Sequence, residues 1–401
     1  MAAGVVAGMV IVGAGECGTR AAFALREEGY TGPVTLVGEE PALPYERPPL
    51  SKTWSLKPIC DAARLEANDI TLVGGVAATA LDAAGHRVRL SDGRWLDYRT
   101  LLLATGARAR RLPFAGARLL RTHADAVDIR SRLAPGTRLG VVGGGFIGLE
   151  LAAAAAALGC VVTVVEMAPR LMGRAVPARI ADVVAARHAA AGVEIRCGVG
   201  VTGVSATGIA LADGSRVAAD VVVAGVGAVP ETSLATAAGL AVGDGVLVDE
   251  RFATSAPDVY AAGDCCSYPH PRYGRVRLES WRAAQEHGAA AARAVLGDTG
   301  PYAGVPWFWS DQHDLSLQVA GLATAASREV VRERPDGVEL WFGLDDSDLL
   351  VAAAGVGPGN AVAKDVRLAE MLIARRAAPP AAALADPTVS LKALLRTPAA
   401  A

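Results

Sequence analysis

Lysine is nearly missing from this 401-residue sequence: of 39 basic residues only Lys52, Lys57, Lys364 and Lys392 are lysines. Alanine, glycine and arginine are abundant, so this reads as a coding bias and excludes nothing. Other absences exclude more. Six cysteines are present, Cys17, Cys60, Cys160, Cys197, Cys265 and Cys266, yet none forms a C-x-x-C pair. A disulfide framework or thiol metal site is therefore not expected, and adjacent Cys265 and Cys266 read as small half-buried side chains. His123, His188, His270, His287 and His313 lack metal-ligand spacing and read as surface or structural groups. The formal net charge is only -2, which leaves no field for nucleic acid or a membrane surface. Met1 to Val12 has no basic leader and runs into a glycine motif, so it reads as a first strand, not a signal peptide. The apolar stretch Leu139 to Val165 is broken by glycines and Glu150 and does not read as a membrane span. A cytoplasmic protein is the expectation.

What is present is a globular composition, 52% hydrophobic and 20% charged. The chain is too long for one core, so two or three domains are expected. Met9 to Gly15, Thr19 to Glu28 and Val34 to Val37 read as strand, helix and strand. The same order recurs at Arg138 to Gly145, Phe146 to Leu158 and Val161 to Glu166, with 130 residues between the first glycines. Two such units imply two nucleotide-binding domains. Strands ending in small-residue turns occur at Leu101 to Gly106, Val221 to Gly227 and Val259 to Asp264. From Pro306 the pattern changes: Leu315 to Val319, Val338 to Phe342 and Leu349 to Ala353 read as strands and Val362 to Ala374 as a helix. This is a separate α+β domain, and its tail, Ala377 to Ala385, is expected to pack weakly.

Gly13-Ala14-Gly15-Glu16-Cys17-Gly18 sits at a strand end and opens a helix. There Gly13 allows the turn, Gly15 lets the backbone approach a pyrophosphate, and Gly18 lets helix and strand pack. Glu39 follows the next strand and is placed to accept a ribose hydroxyl. The second motif is Gly143-Gly144-Gly145-Phe146-Ile147-Gly148, and Glu166 ends its next strand. A carboxylate there binds the 2′-hydroxyl of NAD and repels the 2′-phosphate of NADP, so NADH is preferred over NADPH. The segment Leu43-Pro44-Tyr45-Glu46-Arg47-Pro48-Pro49-Leu50-Ser51-Lys52 carries three prolines and reads as an extended backbone holding cations beside a polyanionic cofactor.

That segment resembles the signature of the NADH-dependent ferredoxin reductases of oxygenase systems. Supporting matches are Ala104-Thr105-Gly106, Gly143 to Glu150, Val259 to Asp264, Glu279-Ser280-Trp281 and Pro306-Trp307-Phe308-Trp309-Ser310-Asp311-Gln312, in the family's order. The resemblance implies an α/β fold of the glutathione-reductase kind: two Rossmann-like dinucleotide-binding domains plus a C-terminal α+β domain. FAD would be held by residues 1–108 and 239–304, NAD by 109–238, and 305–401 would form the C-terminal interface domain. The FAD set it implies includes Gly13, Ala14, Gly15, Gly18, Glu39, Arg47, Lys52, Ala78, Ala104, Thr105, Gly106, Arg121, Gly263, Asp264, Glu279, Trp281 and Trp309. The NADH set is Gly143, Gly145, Ile147, Gly148, Glu166 and Gly227. Cys17, Ala283 and Glu231-Thr232 depart from the family's common residues.

The resemblance further implies hydride transfer from NADH to FAD and single electrons passed to a [2Fe-2S] ferredoxin that feeds a cytochrome P450 or Rieske-type oxygenase. Lys52 would stabilise the anionic reduced flavin and Glu150 would tune that lysine. Monomer and homodimer both stay open. Two other readings of the same fold are a thiol or peroxide reductase, which needs a reactive cysteine, and a nucleotide-binding protein resembling apoptosis-inducing factor. Arg108, Arg110 and Arg111 form a basic cluster that either attracts an acidic ferredoxin or is a solvated linker.

Overall fold

The computed structural model describes residues 7–173 and 175–396. The start of the expected first strand, residues 1–6, and the last residues of the C-terminal segment lie outside the described residues. The chain divides into two units: Met1–Glu46, Leu56–Arg108 and Val229–Gly304 form one, and Arg47–Ser55, Ala109–Ala228 and Val305–Ala401 the other. Among the described residues no helix is long and apolar enough to cross a membrane.

In the first unit, parallel strands run in the order Ile70–Gly74, Val34–Gly38, Gly8–Val12, Trp95–Leu103 and Val259–Ala261. Gly8–Val12 is buried along its whole length, as an apolar run in a sheet covered on both faces must be. Trp95–Leu103 begins earlier than its apolar end suggested, because Trp95 to Asp97 pair antiparallel with Arg87–Leu90, which pairs in turn with Ala78–Asp82. The first glycine helix, Glu16–Glu27, packs against Trp281–Val295. The crossing is close: a Cβ on Gly288 would stand 2.3 Å from the Cys17 carbonyl oxygen. Cys17, Cys265 and Cys266 are fully buried there, where half-buried thiols were expected. Small uncharged side chains suit such tight packing.

The same unit buries His287 completely, against the rings of Phe252, Tyr268 and Tyr302 at 5.0, 4.9 and 4.9 Å. Neither ring nitrogen has a hydrogen-bond partner among the described residues. Burial, helped by His270, depresses its pKa from 6.5 to about 3. The unfolded chain therefore takes up this proton at a higher pH than the folded one. The associated stability is present above pH 6.5 and drains away as pH falls toward 3; it amounts to about 2 kcal/mol lost by pH 5. His287→Phe keeps the ring packing, and its melting temperature should fall less between pH 7 and pH 5 than that of the unsubstituted chain.

In the second unit, five parallel strands run Arg118–Leu119, Val221–Ala224, Arg138–Val142, Val161–Glu166 and Glu194–Cys197. A five-stranded antiparallel sheet follows, in the order Trp307–Gln312, Leu315–Gly321, Leu350–Pro358, Glu339–Leu344 and Arg328–Glu333. Its central strand is largely alanine and glycine, and the helix Ala363–Ala374 lies close on it: a Cβ on Gly355 would meet Leu340 at 2.8 Å and Val366 at 3.1 Å. The edge strand Arg328–Glu333 escapes an apolar search because its ends are charged.

Two expectations are not met in full. The proline segment is extended only at its start, where Tyr45–Glu46 is a short strand; beyond it Pro48 has helical dihedrals and Pro49–Lys52 is one turn of helix. Proline's fixed φ suits a first turn, where its missing N–H leaves nothing unpaired. The tail does not pack weakly either. Ala377 and Leu384 are buried, Ala381–Ala385 is helical, and buried Arg332 donates to the carbonyls of Leu384, Ala383 and Val389 at 2.6, 2.8 and 3.1 Å. Arg332→Ala strands those carbonyls and should cost about 3 kcal/mol in denaturant unfolding.

Candidate functional site

Each unit carries one glycine-rich strand-to-helix turn. Gly13 has φ +114°, and a Cβ there would stand 2.1 Å from the Ala104 carbonyl oxygen. Gly143 repeats this with φ +105° and the Gly225 carbonyl at 2.4 Å. Gly18 and Gly148 are needed for packing, since their Cβ atoms would lie 1.9 and 2.2 Å from the carbonyls of Gly13 and Gly143. Gly15 and Gly145 differ. Nothing lies within 4 Å of a Cβ on Gly15, and a Cβ on Gly145 meets only one carbonyl at 4.0 Å.

These two glycines cap the helices Glu16–Glu27 and Phe146–Ala157, and neither helix start has a side-chain cap. Uncapped amide N–H groups facing open space are what a pyrophosphate occupies, aided by the helix dipole. The residues present thus fit a dinucleotide in each unit. Packing inside the protein explains the first and last glycine of each motif but not the middle one.

Around the first turn, Ala14 follows Gly13, and Glu39 is exposed just beyond Val34–Gly38. Ala104, Thr105 and Gly106 end the neighbouring strand, with Thr105 Oγ1 donating to the Glu231 carbonyl at 2.6 Å. Gly263 has φ +80° and lies against Cys17; Asp264 follows it, partly exposed. Ala78 opens its strand, and Trp281 opens the long helix, with Ser280 as its cap. Glu279 is exposed and paired with Arg277.

Glu16, in the first turn of its helix, lies inside the first glycine motif but carried no role in the sequence reading. Its Oε1 accepts from Gln285 Nε2 at 2.8 Å, and burial pushes its pKa up against that hydrogen bond.

Around the second turn, both oxygens of Glu166 are engaged: Oε2 accepts from Gly144 N–H and Oε1 from Ala168 N–H, each at 2.7 Å. Ile147 is 46% exposed beside Gly145, and Gly227 has φ +99° with nothing near its Cβ position. Arg47 donates to the Arg121 carbonyl at 2.6 Å, and Thr122 and Asp125 form a capping box beside it.

The structure brings Lys52 and Glu150 together, but not alone. The turn Pro49–Lys52 packs on the helix Phe146–Ala157, which also meets the strand Trp307–Gln312. Glu150, buried, accepts from Ser51 Oγ at 2.5 Å and from Ser310 Oγ at 2.6 Å. Lys52 Nζ is 3.8 Å from Glu150 Oε1 and 2.7 Å from Asp311 Oδ2, and it sits 4.9 Å over the Trp309 ring. Trp309 Nε1 also donates to Asp311, at 3.0 Å, and its ring stacks with Trp307 at 5.5 Å. Burial raises the Glu150 pKa; Lys52 and then the two serine hydroxyls oppose this, while Asp311 adds to it. Ser51, Ser310 and Asp311 were not singled out in the sequence, although all three lie inside motifs that were. Trp307 and Phe308 are partly exposed, and Phe308 packs against Phe146.

No group of histidines, cysteines and carboxylates that could hold a metal occurs among the described residues. All six cysteines are free, and burial is the leading cause raising the pKa of each.

Two family models match most of the chain: pyridine nucleotide-disulphide oxidoreductase over residues 8–288 and reductase C-terminal over 307–395. The sequence is 42% identical to the ferredoxin–NAD(+) reductase component of the anthranilate 1,2-dioxygenase system of Burkholderia cepacia, with 96% of this chain and 98% of that one covered. It is 40% identical to rhodocoxin reductase of Rhodococcus erythropolis, covering 82% and 81% of the two chains. A chain of the crystallised covalent putidaredoxin reductase–putidaredoxin complex superposes with a TM-score of 0.92 at 36% identity, with 98% of each chain covered.

Proposed function

The chain belongs to the pyridine nucleotide-disulphide oxidoreductase family, with a reductase C-terminal domain, and from that premise we propose that it carries electrons from NADH through FAD to a [2Fe-2S] ferredoxin of an oxygenase system. FAD supplies the redox chemistry, accepting a hydride and releasing electrons singly. The protein's share is binding, orientation and charge. Gly15, with Ala14, Glu39 and Asp264, would hold FAD; Gly145, with Ile147, Glu166 and Gly227, would hold NADH. Lys52 would offset negative charge on the reduced flavin, and Glu150 would tune that lysine. Residues 1–108 with 239–304, residues 109–238 and residues 305–401 serve as the FAD, NAD and interface segments in this reading.

The observation that carries it is the pair of uncapped glycine helices together with the Lys52–Glu150 cluster. The thiol or peroxide reductase reading is disfavoured by the cysteines, since a buried thiol with a raised pKa is a poor nucleophile. The test is NADH-dependent reduction of candidate [2Fe-2S] ferredoxins by FAD-loaded enzyme before and after thiol alkylation. Retained activity supports the proposal; loss on alkylation, or transfer to disulfides and not to ferredoxins, overturns it. Glu166→Ala should narrow the preference for NADH over NADPH by about tenfold or more in kcat/KM, because the 2′-phosphate no longer meets a carboxylate.

A further inference from the structure

Behind Glu150 lies a hydrogen-bond chain longer than the Lys52–Glu150 pair by itself requires. Ser310 Oγ, which donates to Glu150, accepts from Gln312 Nε2 at 2.9 Å. With its amide nitrogen engaged there, Gln312 turns Oε1 to His188, whose Nε2 stands 2.9 Å away and must donate. His188 Nδ1 is then an acceptor, and His313 Nε2 donates to it from 3.2 Å. Every link points toward Glu150. Ser310, Gln312 and His188 are 0, 2 and 0% exposed, so no water competes for these atoms.

Burial holds the His188 pKa down and brings that of His313 to about 4, so both rings stay neutral at neutral pH. The two serines on Glu150 are not equivalent. Ser51 has a second acceptor, the Pro48 carbonyl at 3.3 Å, and can turn away if Glu150 gains a proton. Among the described residues Ser310 Oγ donates to Glu150 alone, and Gln312 occupies one of its lone pairs, so its proton stays aimed at the carboxylate.

We infer that Gln312 and His188 are positioning residues that aim the Ser310 hydroxyl at Glu150 and so hold it as a hydrogen-bond acceptor beside Lys52. The inference rests on Glu150 being the group that tunes Lys52 during flavin reduction. The charged groups facing Glu150 are Lys52 from the Pro49–Lys52 turn and Asp311 from the Trp307–Gln312 strand. The strands Arg138–Val142 and Val161–Glu166, which also pack on the helix of Glu150, carry Arg138 and Glu166. These are engaged by Asp220 and by backbone amides.

The experiment uses FAD-loaded enzyme. Stopped-flow flavin reduction by NADH and the flavin midpoint potential are each measured against pH. Gln312→Leu removes the donor to Ser310, and the acid-side midpoint should move up by about one pH unit, the equivalent of one aimed hydrogen bond. His188→Leu should do the same, and His188→Gln, which keeps a donor toward Gln312, should restore the original profile. A merely structural role would lower the melting temperature of all three without moving the midpoint. Glu150→Gln separates the two layers. If it leaves the profile unchanged, the reading of Glu150 itself fails. If it removes the acid limb while Gln312→Leu and His188→Leu leave the midpoint in place, the positioning chain fails. Should Gln312→Leu not fold, the pair His188→Leu and His188→Gln decides alone: equal profiles overturn the inference.

Discussion

A Gly145→Val enzyme should arrive with its full complement of FAD and remain oxidised in the presence of NADH. The expectation follows from what surrounds each glycine. At Gly143 a side chain would collide with the Gly225 backbone at 2.4 Å, and at Gly148 with the Gly143 carbonyl at 2.2 Å, so substitution there damages the fold itself. At Gly145 a Cβ meets only one atom, at 4.0 Å, and the backbone is extended with φ -84°, which any residue adopts. Valine is therefore tolerated by the protein and would fill the space a pyrophosphate would enter in the proposed NADH site. The first unit is untouched, so FAD content should match that of the unsubstituted enzyme, while kcat/KM for NADH falls by about 10³-fold or more, roughly 4 kcal/mol. Gly15→Val is the converse: a folded chain that emerges without FAD. The measurements are the flavin-to-protein ratio, the melting temperature and the rate of flavin bleaching by NADH. A Gly145→Val enzyme reduced at the normal rate would sink the assignment of the second turn to NADH.

Lys52→Met should slow flavin reduction by about 10²-fold at saturating NADH, roughly 3 kcal/mol, the usual cost of removing one fixed charge from a reacting site. The same change leaves Glu150 buried without its cation. Its pKa, already raised by burial and lowered chiefly by Lys52, should rise further, so the acid limb of the residual rate should move to higher pH. Methionine keeps the length of the stem, so a loss of packing is not the cause. Asp311→Asn is the companion variant. It removes the closest partner of Lys52, at 2.7 Å, and should free the ammonium toward Glu150, with an effect of less than about fivefold. Single-turnover kinetics across pH separate the two. Equal small effects from Lys52→Met and Asp311→Asn would show that the lysine only ties surface side chains together.

Much of this protein was legible before any fold was known. The glycine turns could be read because their requirement is local: Gly13 and Gly143 need positive φ, and Gly18 and Gly148 face a carbonyl only five residues back. Glu166 could be read because it ends the strand that follows its helix, and the structure shows its carboxylate on the Gly144 amide. The family resemblance holds along nearly the whole chain. The Pro48-Pro49 turn was misread, since two prolines restrict φ without deciding between an extended segment and a first helical turn, and packing against the helix Phe146–Ala157 decides it. The tail was misread because Ala381–Ala385 shows no amphipathic pattern. What seats it is a buried arginine about 50 residues earlier in the chain, Arg332, donating to its carbonyls.

The sequence by itself determined the two glycine-rich turns, the carboxylate beside the second, and the presence of Lys52 and Glu150. Each of these is fixed by neighbours within a few residues or by a motif read in place. Only the tertiary structure decided what stands around Glu150. Ser51 lies 99 residues from it, Ser310 160 residues, and Lys52 meets Asp311 across 259. His188 reaches Gln312 across 124 more. Which hydroxyl, amide and ring approach one carboxylate depends on how a helical turn, a helix and the edge of a sheet pack together, and no local pattern encodes that meeting.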